Sequence, residues 1–137
     1  MTAPPCFTLP SPFASHPGTL HLLEPPDASA GALRARLLDE TYDKPFVLDD
    51  GECRYLYFNV RLMQSAMRLK SPDALELRYT QKMMAFLLFK PKPARVLLIG
   101  LGGGSLVKFC HRRLPGTQIL AVELNPAVIA FRDLFLV

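Results

Sequence analysis

Tryptophan is absent from the 137 residues, and histidine and cysteine occur three times each. Cys6, Cys53 and Cys110 stand far apart, with no C-x-x-C and no Cys–His spacing suited to zinc. That excludes a disulfide framework and a zinc motif, and no metal site is expected. Such cysteine usage fits a reducing compartment, so the expected location is cytoplasmic. Long apolar runs are also lacking. The longest candidate, MMAFLLF at Met83–Phe89, falls far short of a membrane span. No basic segment followed by an unbroken apolar one opens the chain, so neither a secretory signal nor a membrane partner is expected. Neither sign of charge dominates, since 16 Lys and Arg against 12 Asp and Glu leave +4. The one basic cluster, Lys108, His111, Arg112 and Arg113, reads as the solvated face of a helix, its last members opposing the helix dipole. Without a long basic stripe, no nucleic-acid partner is expected.

Half of the residues are apolar and a fifth charged, a composition that supports a packed core over a length typical of one domain. Pro4, Pro5, Pro10, Pro12, Pro17, Pro25 and Pro26 crowd the start, so residues 1–28 are expected to form an irregular arm, with order around Phe7, Leu9 and Phe13. Residues 29–70 read as a short helix capped by Ser29, then a small antiparallel meander from about Pro45 to Leu69. Asp49-Asp50-Gly51 is its hairpin signal. Ser71-Pro72-Asp73 predicts a helix running to about Phe89, with Leu75, Tyr79, Met83, Phe86 and Leu87 on its buried stripe.

The stretch VLLIGLGGGS, Val96–Ser105, carries the chemistry. Its unalternating apolar run predicts a strand buried on both faces, as in a parallel sheet. Gly100, Gly102, Gly103 and Gly104 follow, then helical spacing from Ser105 with Cys110 and Leu114 on the core side. Strand, glycine turn and helix aim backbone N–H groups at a ligand. QILAVE, Gln118–Glu123, predicts a second buried strand, and Asn125-Pro126 opens another helix. Glu123 lies close to the spacing of about 20 residues at which a carboxylate meets ribose hydroxyls. The bland alternative is a tight connection with Glu123 on the surface. The residues themselves leave two ligand classes, dinucleotides such as NAD and relatives of S-adenosylmethionine. The meander and helix ahead of the glycine strand favour the second. Only two parallel strands are read before Val137, so residues 71–137 are expected to be an incomplete Rossmann-like nucleoside-binding domain. The whole is expected to be an α/β chain that forms the front part of a longer protein, open along one sheet edge and prone to pair there with further copies.

From about Leu37 onward the chain resembles the spermidine synthase family, the polyamine aminopropyltransferases, and especially bacterial spermidine-synthase-like members. YDKPFVLDDG, YFNVRLMQSAM, SPDALELRYTQKMMAFLLF, VLLIGLGGGSLVKF and ILAVELNPAVIA carry the resemblance in that order. It implies a methyltransferase-type domain behind a β-domain, and transfer of an aminopropyl group to a polyamine. The co-substrate it implies is decarboxylated S-adenosylmethionine or S-adenosylmethionine, none of it permanently bound, and the product is methylthioadenosine. Gly100, Gly102 and Gly104 match the family's nucleoside motif and Glu123 its ribose-binding acid. Gln64 matches a glutamine facing the active site, and Tyr79 the tyrosine of a Tyr-His-Glu motif. As residues alone, Gln64 is equally a solvated strand position and Tyr79 equally a core residue. Gly103 stands where authentic members carry an aspartate for the aminopropyl amine, and Thr80-Gln81 where they carry His-Glu. The family's catalytic aspartate falls beyond Val137, so no catalytic residue is assigned. The other readings are a methyltransferase-like protein and a non-catalytic nucleoside-binding fragment.

Overall fold

Local side-chain bonds fix the turn at Asp49-Asp50-Gly51. Asp49 Oδ1 accepts the Gly51 N–H at 2.8 Å, and Asp50 Oδ1 accepts those of Glu52 and Cys53 at 2.8 and 2.7 Å. In this computed structural model, which describes residues 6–137, the turn joins two strands, β3 (Phe46–Asp49) and β4 (Cys53–Asn59). β5 (Leu62–Arg68) then pairs antiparallel with β4, completing the expected meander.

The sheet is larger than the sequence reading allowed. β1 (Phe7–Pro10) and β2 (Thr19–Leu22) lie inside the supposedly irregular arm and extend one five-stranded sheet in the order β1-β2-β3-β4-β5. Met1–Pro5 of that arm lie outside the described residues. Prolines hid the strands because they are breakers in most strand positions. Pro10, however, ends an edge strand, where a missing N–H costs little. Leu20 and Leu22 alternate with Thr19 and His21, and both leucines are fully buried. They pack with Leu33 and Leu37 of α1 (Ala30–Leu38) and with Tyr42 and Phe46. Ser29 caps α1 as expected, its hydroxyl accepting the Ala32 N–H.

The helix expected over residues 71–89 begins only at Arg78. α2 runs only Arg78–Met83 and tightens into a 3₁₀ turn at Met84–Leu88. Arg68 holds the Glu76 carboxylate at 2.5 Å, tying the preceding segment back to β5, and Leu77 is extended. The buried stripe holds in part, since Leu75, Phe86 and Leu87 pack against Met84, Cys110 and Leu114. Thr80 and Met84 are buried, whereas Tyr79 and Met83 are about half exposed.

The second sheet holds β6 (Arg95–Ile99) and β7 (Gln118–Val122), parallel and in register from Arg95–Gln118 to Ile99–Val122. α3 (Ser105–Arg113) connects them and covers one face, where Val96 and Ile119 meet Cys110, Leu114 and Met84. The strands are not buried on both faces as expected. Leu97, Ile99, Leu120 and Val122 stand on the other face with more than half of their surface exposed. The alternation is structural; in the sequence it is masked because apolar residues fill both faces.

Asn125 caps α4 (Pro126–Ala130) by accepting the Ala127 N–H at 2.9 Å, and a 3₁₀ turn follows at Arg132–Phe135. Val128, Phe131 and Phe135 pack against Val47, Leu56 and Met67 of the large sheet. Arg54 fastens the contact by donating to the Leu134 carbonyl at 2.5 Å. No helix among the described residues is long and apolar enough to cross a membrane.

Candidate functional site

The glycine loop begins where the parallel ladder runs out, with the Gly100 N–H donating to the Val122 carbonyl at 2.7 Å. Gly100, Gly102 and Gly104 all have positive φ, which side chains rarely tolerate. Gly102, Gly103 and Gly104 are buried. A Cβ on Gly102 would lie 2.5 Å from Gln64 Oε1 and 2.7 Å from Ser65 Oγ, so the loop needs glycine there. At the other end Gly100 faces open space, with nothing within 4 Å of a built Cβ. The loop is therefore approachable at Gly100 and covered at Gly102–Gly104.

Glu123 stands at the open end. Its Oε2 accepts the Leu101 N–H at 2.8 Å and its Oε1 the Asn125 N–H at 2.9 Å. Partial burial raises its carboxyl pKa, but backbone N–H groups of Asn125, Leu101, Gly102 and Leu124 outweigh that and hold it below the usual value.

Gln64 reaches the loop through an irregularity in β5. Leu56 pairs with Ser65 and Tyr57 with Met63, so Gln64 is an extra residue without a ladder partner. Adjacent strand residues ordinarily face opposite sides. The bulge breaks that rule and brings both Gln64 and Ser65 to the glycines, as bulges do when they re-aim a side chain. Tyr79 donates its hydroxyl to the Gln64 carbonyl at 3.1 Å. Gln64, Glu123 and the glycines thus meet at one loop, although they come from two sheets, whereas Tyr79 touches only the backbone of the bulge through the Gln64 carbonyl.

Ser65 was missed by sequence reasoning. It is buried, and its Oγ accepts the Gly103 N–H at 3.0 Å. Nothing in a lone serine beside a glutamine announces this; only the bulge makes it possible. Lys108 was misplaced. It turns away from the solvated face of α3 to donate to the Phe135 carbonyl at 2.5 Å and to reach Met67 Sδ at 2.9 Å. Burial pushes its pKa down to about 8, opposed in part by Asp73. His111, Arg112 and Arg113 remain exposed as read. Phe135 and Val137 cover the far end of the loop, where Cβ atoms on Gly103 and Gly104 would fall 2.9 Å and 2.1 Å from their side chains. Thr80, in place of a charged residue, serves the helix start by donating to the Leu77 carbonyl at 2.5 Å. No cluster of metal-ligating side chains occurs among the described residues.

Fold and loop define an α/β protein in which a glycine turn, a following helix and a strand-end carboxylate share one end of a parallel strand pair. The chain is homologous, as a partial match, to the bacterial polyamine aminopropyltransferases, the spermidine synthase family. It is 38% identical over 102 residues to the polyamine aminopropyltransferase of Chromobacterium violaceum, a match covering 74% of this chain and 39% of that protein. To the polyamine aminopropyltransferase of Neisseria meningitidis it is 41% identical over 91 residues, covering 65% of this chain and 35% of the relative. A shorter match, 53% identical over 36 residues, covers 26% of this chain and 5% of the eEF1A lysine and N-terminal methyltransferase of Xenopus laevis. No protein-family model and no solved structure matches the chain.

Proposed function

We propose that this chain forms the glycine-loop part of a spermidine-synthase-like transferase and binds the nucleoside of decarboxylated S-adenosylmethionine. In the reaction proposed for the whole protein, a polyamine amine attacks the carbon beside the sulfonium, loses a proton to a base, and methylthioadenosine leaves. The observation that carries the reading is Glu123. Its carboxylate is kept ionised by backbone N–H groups of the loop and of the turn into α4, on the side where Gly100 leaves open space for a vicinal diol to approach. The Rossmann-like assignment of residues 71–137 belongs to the same proposal. It is supported by the parallel β6-α3-β7 order and the homology. The second reading, a methyltransferase-like protein using S-adenosylmethionine, draws on the short methyltransferase matches.

Titration calorimetry with methylthioadenosine, S-adenosylmethionine and NAD tests the proposal. In the whole protein methylthioadenosine is expected to bind, and Glu123→Ala to weaken it by about 1.5–3 kcal/mol, the scale of hydrogen bonds to a charged group. Equal affinity of wild type and variant, with the fold intact, would take Glu123 out of the site. Preference for NAD would overturn the reading as a whole.

The uncovered face of the parallel pair supports a proposal about assembly. Leu97, Ile99, Leu120 and Val122 form a contiguous apolar surface beside unpaired strand edges, the usual mark of an association site. Sedimentation of the 15.3 kDa chain at tens of micromolar is expected to give species above the monomer mass. Ile99→Lys with Leu120→Lys is expected to restore the monomer. A wild-type chain that sediments as a monomer under the same conditions would overturn the proposal.

A further inference from the structure

We infer that Ser65 is a positioning residue that locks the glycine loop and holds the amide of Gln64 by its oxygen, leaving the NH2 group as the free hydrogen-bonding end beside Gly102. The inference deepens the nucleoside reading and rests on it for the ligand alone. A backbone N–H can only donate, so the Gly103–Ser65 bond makes Ser65 Oγ an acceptor. The hydroxyl keeps one proton, and it donates that proton to Gln64 Oε1. The chain therefore has one direction, from Gly103 N–H through the Ser65 hydroxyl to the Gln64 carbonyl oxygen. With Oε1 engaged, the free hydrogen-bonding end of Gln64 is Nε2, which lies 2.9 Å from the Cβ position of Gly102 at the loop. Two N–H donors there recognise an acceptor, such as a ribose or purine oxygen or nitrogen. They do not recognise an ammonium group, which brings donors of its own. Gln64 is thereby assigned to the nucleoside and not to an amine substrate.

The bulge makes this relay possible, because Gln64 and Ser65 face the same loop only where β5 carries its extra residue. Tyr79 holds the backbone of the bulge from the other side through the Gln64 carbonyl. Removing the Ser65 hydroxyl would leave the buried Gly103 N–H without an acceptor and free the Gln64 amide to rotate.

Two variants of the 137-residue chain test the relay by nuclear magnetic resonance and calorimetry. Ser65→Ala nearly conserves volume and is expected to speed exchange of the Gly103 amide about 10-fold. It should also move the Gln64 side-chain amide towards the shift of a free glutamine. Gln64→Glu keeps an acceptor for Ser65 but offers no donor, so Gly103 exchange should stay at the wild-type rate while methylthioadenosine affinity falls about 10-fold. Unchanged Gly103 exchange and an unmoved Gln64 amide in Ser65→Ala would overturn the inference, with or without ligand. Undiminished methylthioadenosine binding by Gln64→Glu would overturn the assignment of Gln64 as donor. If wild type binds no nucleoside, the functional reading fails, and the exchange and shift results still decide the role of Ser65.

Discussion

Gly102→Val is expected to remove measurable nucleoside binding and to destabilise the chain by roughly 2–5 kcal/mol, the sum of left-handed strain and overpacking. Two causes combine. Gly102 has φ of 55°, where a β-branched residue is a steric outlier. Its Cβ would also meet Gln64 Oε1 at 2.5 Å, Ser65 Oγ at 2.7 Å and Gln64 Nε2 at 2.9 Å. The last three contacts make the effect specific to the site, because relief displaces the Gln64 amide and presses on the Ser65 hydroxyl that holds the loop. Gly116 separates the causes. It has φ of 80° but open space around its Cβ, so Gly116→Val carries strain without overlap. That control is expected to lose about 1–2 kcal/mol and to leave affinity unchanged. Chemical denaturation and calorimetry on both variants supply the comparison. Equal effects of the two substitutions on binding would mean that the contact between the meander and the glycine loop plays no part in the site.

Much of this arrangement was legible in the sequence where one residue's chemistry decides local geometry. Ser29 and Asn125 cap their helices because a short oxygen-bearing side chain satisfies an otherwise orphaned N–H, whatever packs nearby. Asp49-Asp50-Gly51 turns for the same kind of local reason. What failed depends on contacts distant in sequence. β1 and β2 exist because β2 pairs with β3, and four-residue strands beside prolines hold no such information alone. The segment after Ser71 carries strong helix signals, but the Arg68–Glu76 pair competes with them, and the helix starts at Arg78. Lys108 counts as a surface residue by charge; the carbonyl of Phe135 and the sulfur of Met67 draw it inward. Gln64 and Glu123 could be set beside the glycines from the family resemblance. Ser65 could not, because a bulge is a property of two paired strands and leaves no mark on either one.

Phe131→Ala is expected to destabilise the chain by about 3–5 kcal/mol, the cost of emptying a buried aromatic site. Phe131 is 1% exposed and lies just past α4, yet its packing includes Val47, Leu56 and Met67 of the five-stranded sheet. The loss would therefore loosen the seam between α4 and the meander as well as α4 itself. Arg54 reaches the carbonyl of Leu134 across the same seam and Lys108 of α3 holds that of Phe135 beside it, so the cover over Gly103 and Gly104 depends on it too. Exchange of the Gly104 amide is expected to accelerate along with the drop in stability. Ile129→Ala supplies the comparison, since Ile129 is 37% exposed on α4 and lies outside that cluster. Removing an exposed apolar side chain should change stability by only about 0.5 kcal/mol. Similar losses for the two variants in urea denaturation would show that α4 does not dock on the sheet. A large loss confined to Phe131→Ala, accompanied by faster Gly104 exchange, is the result the packing requires.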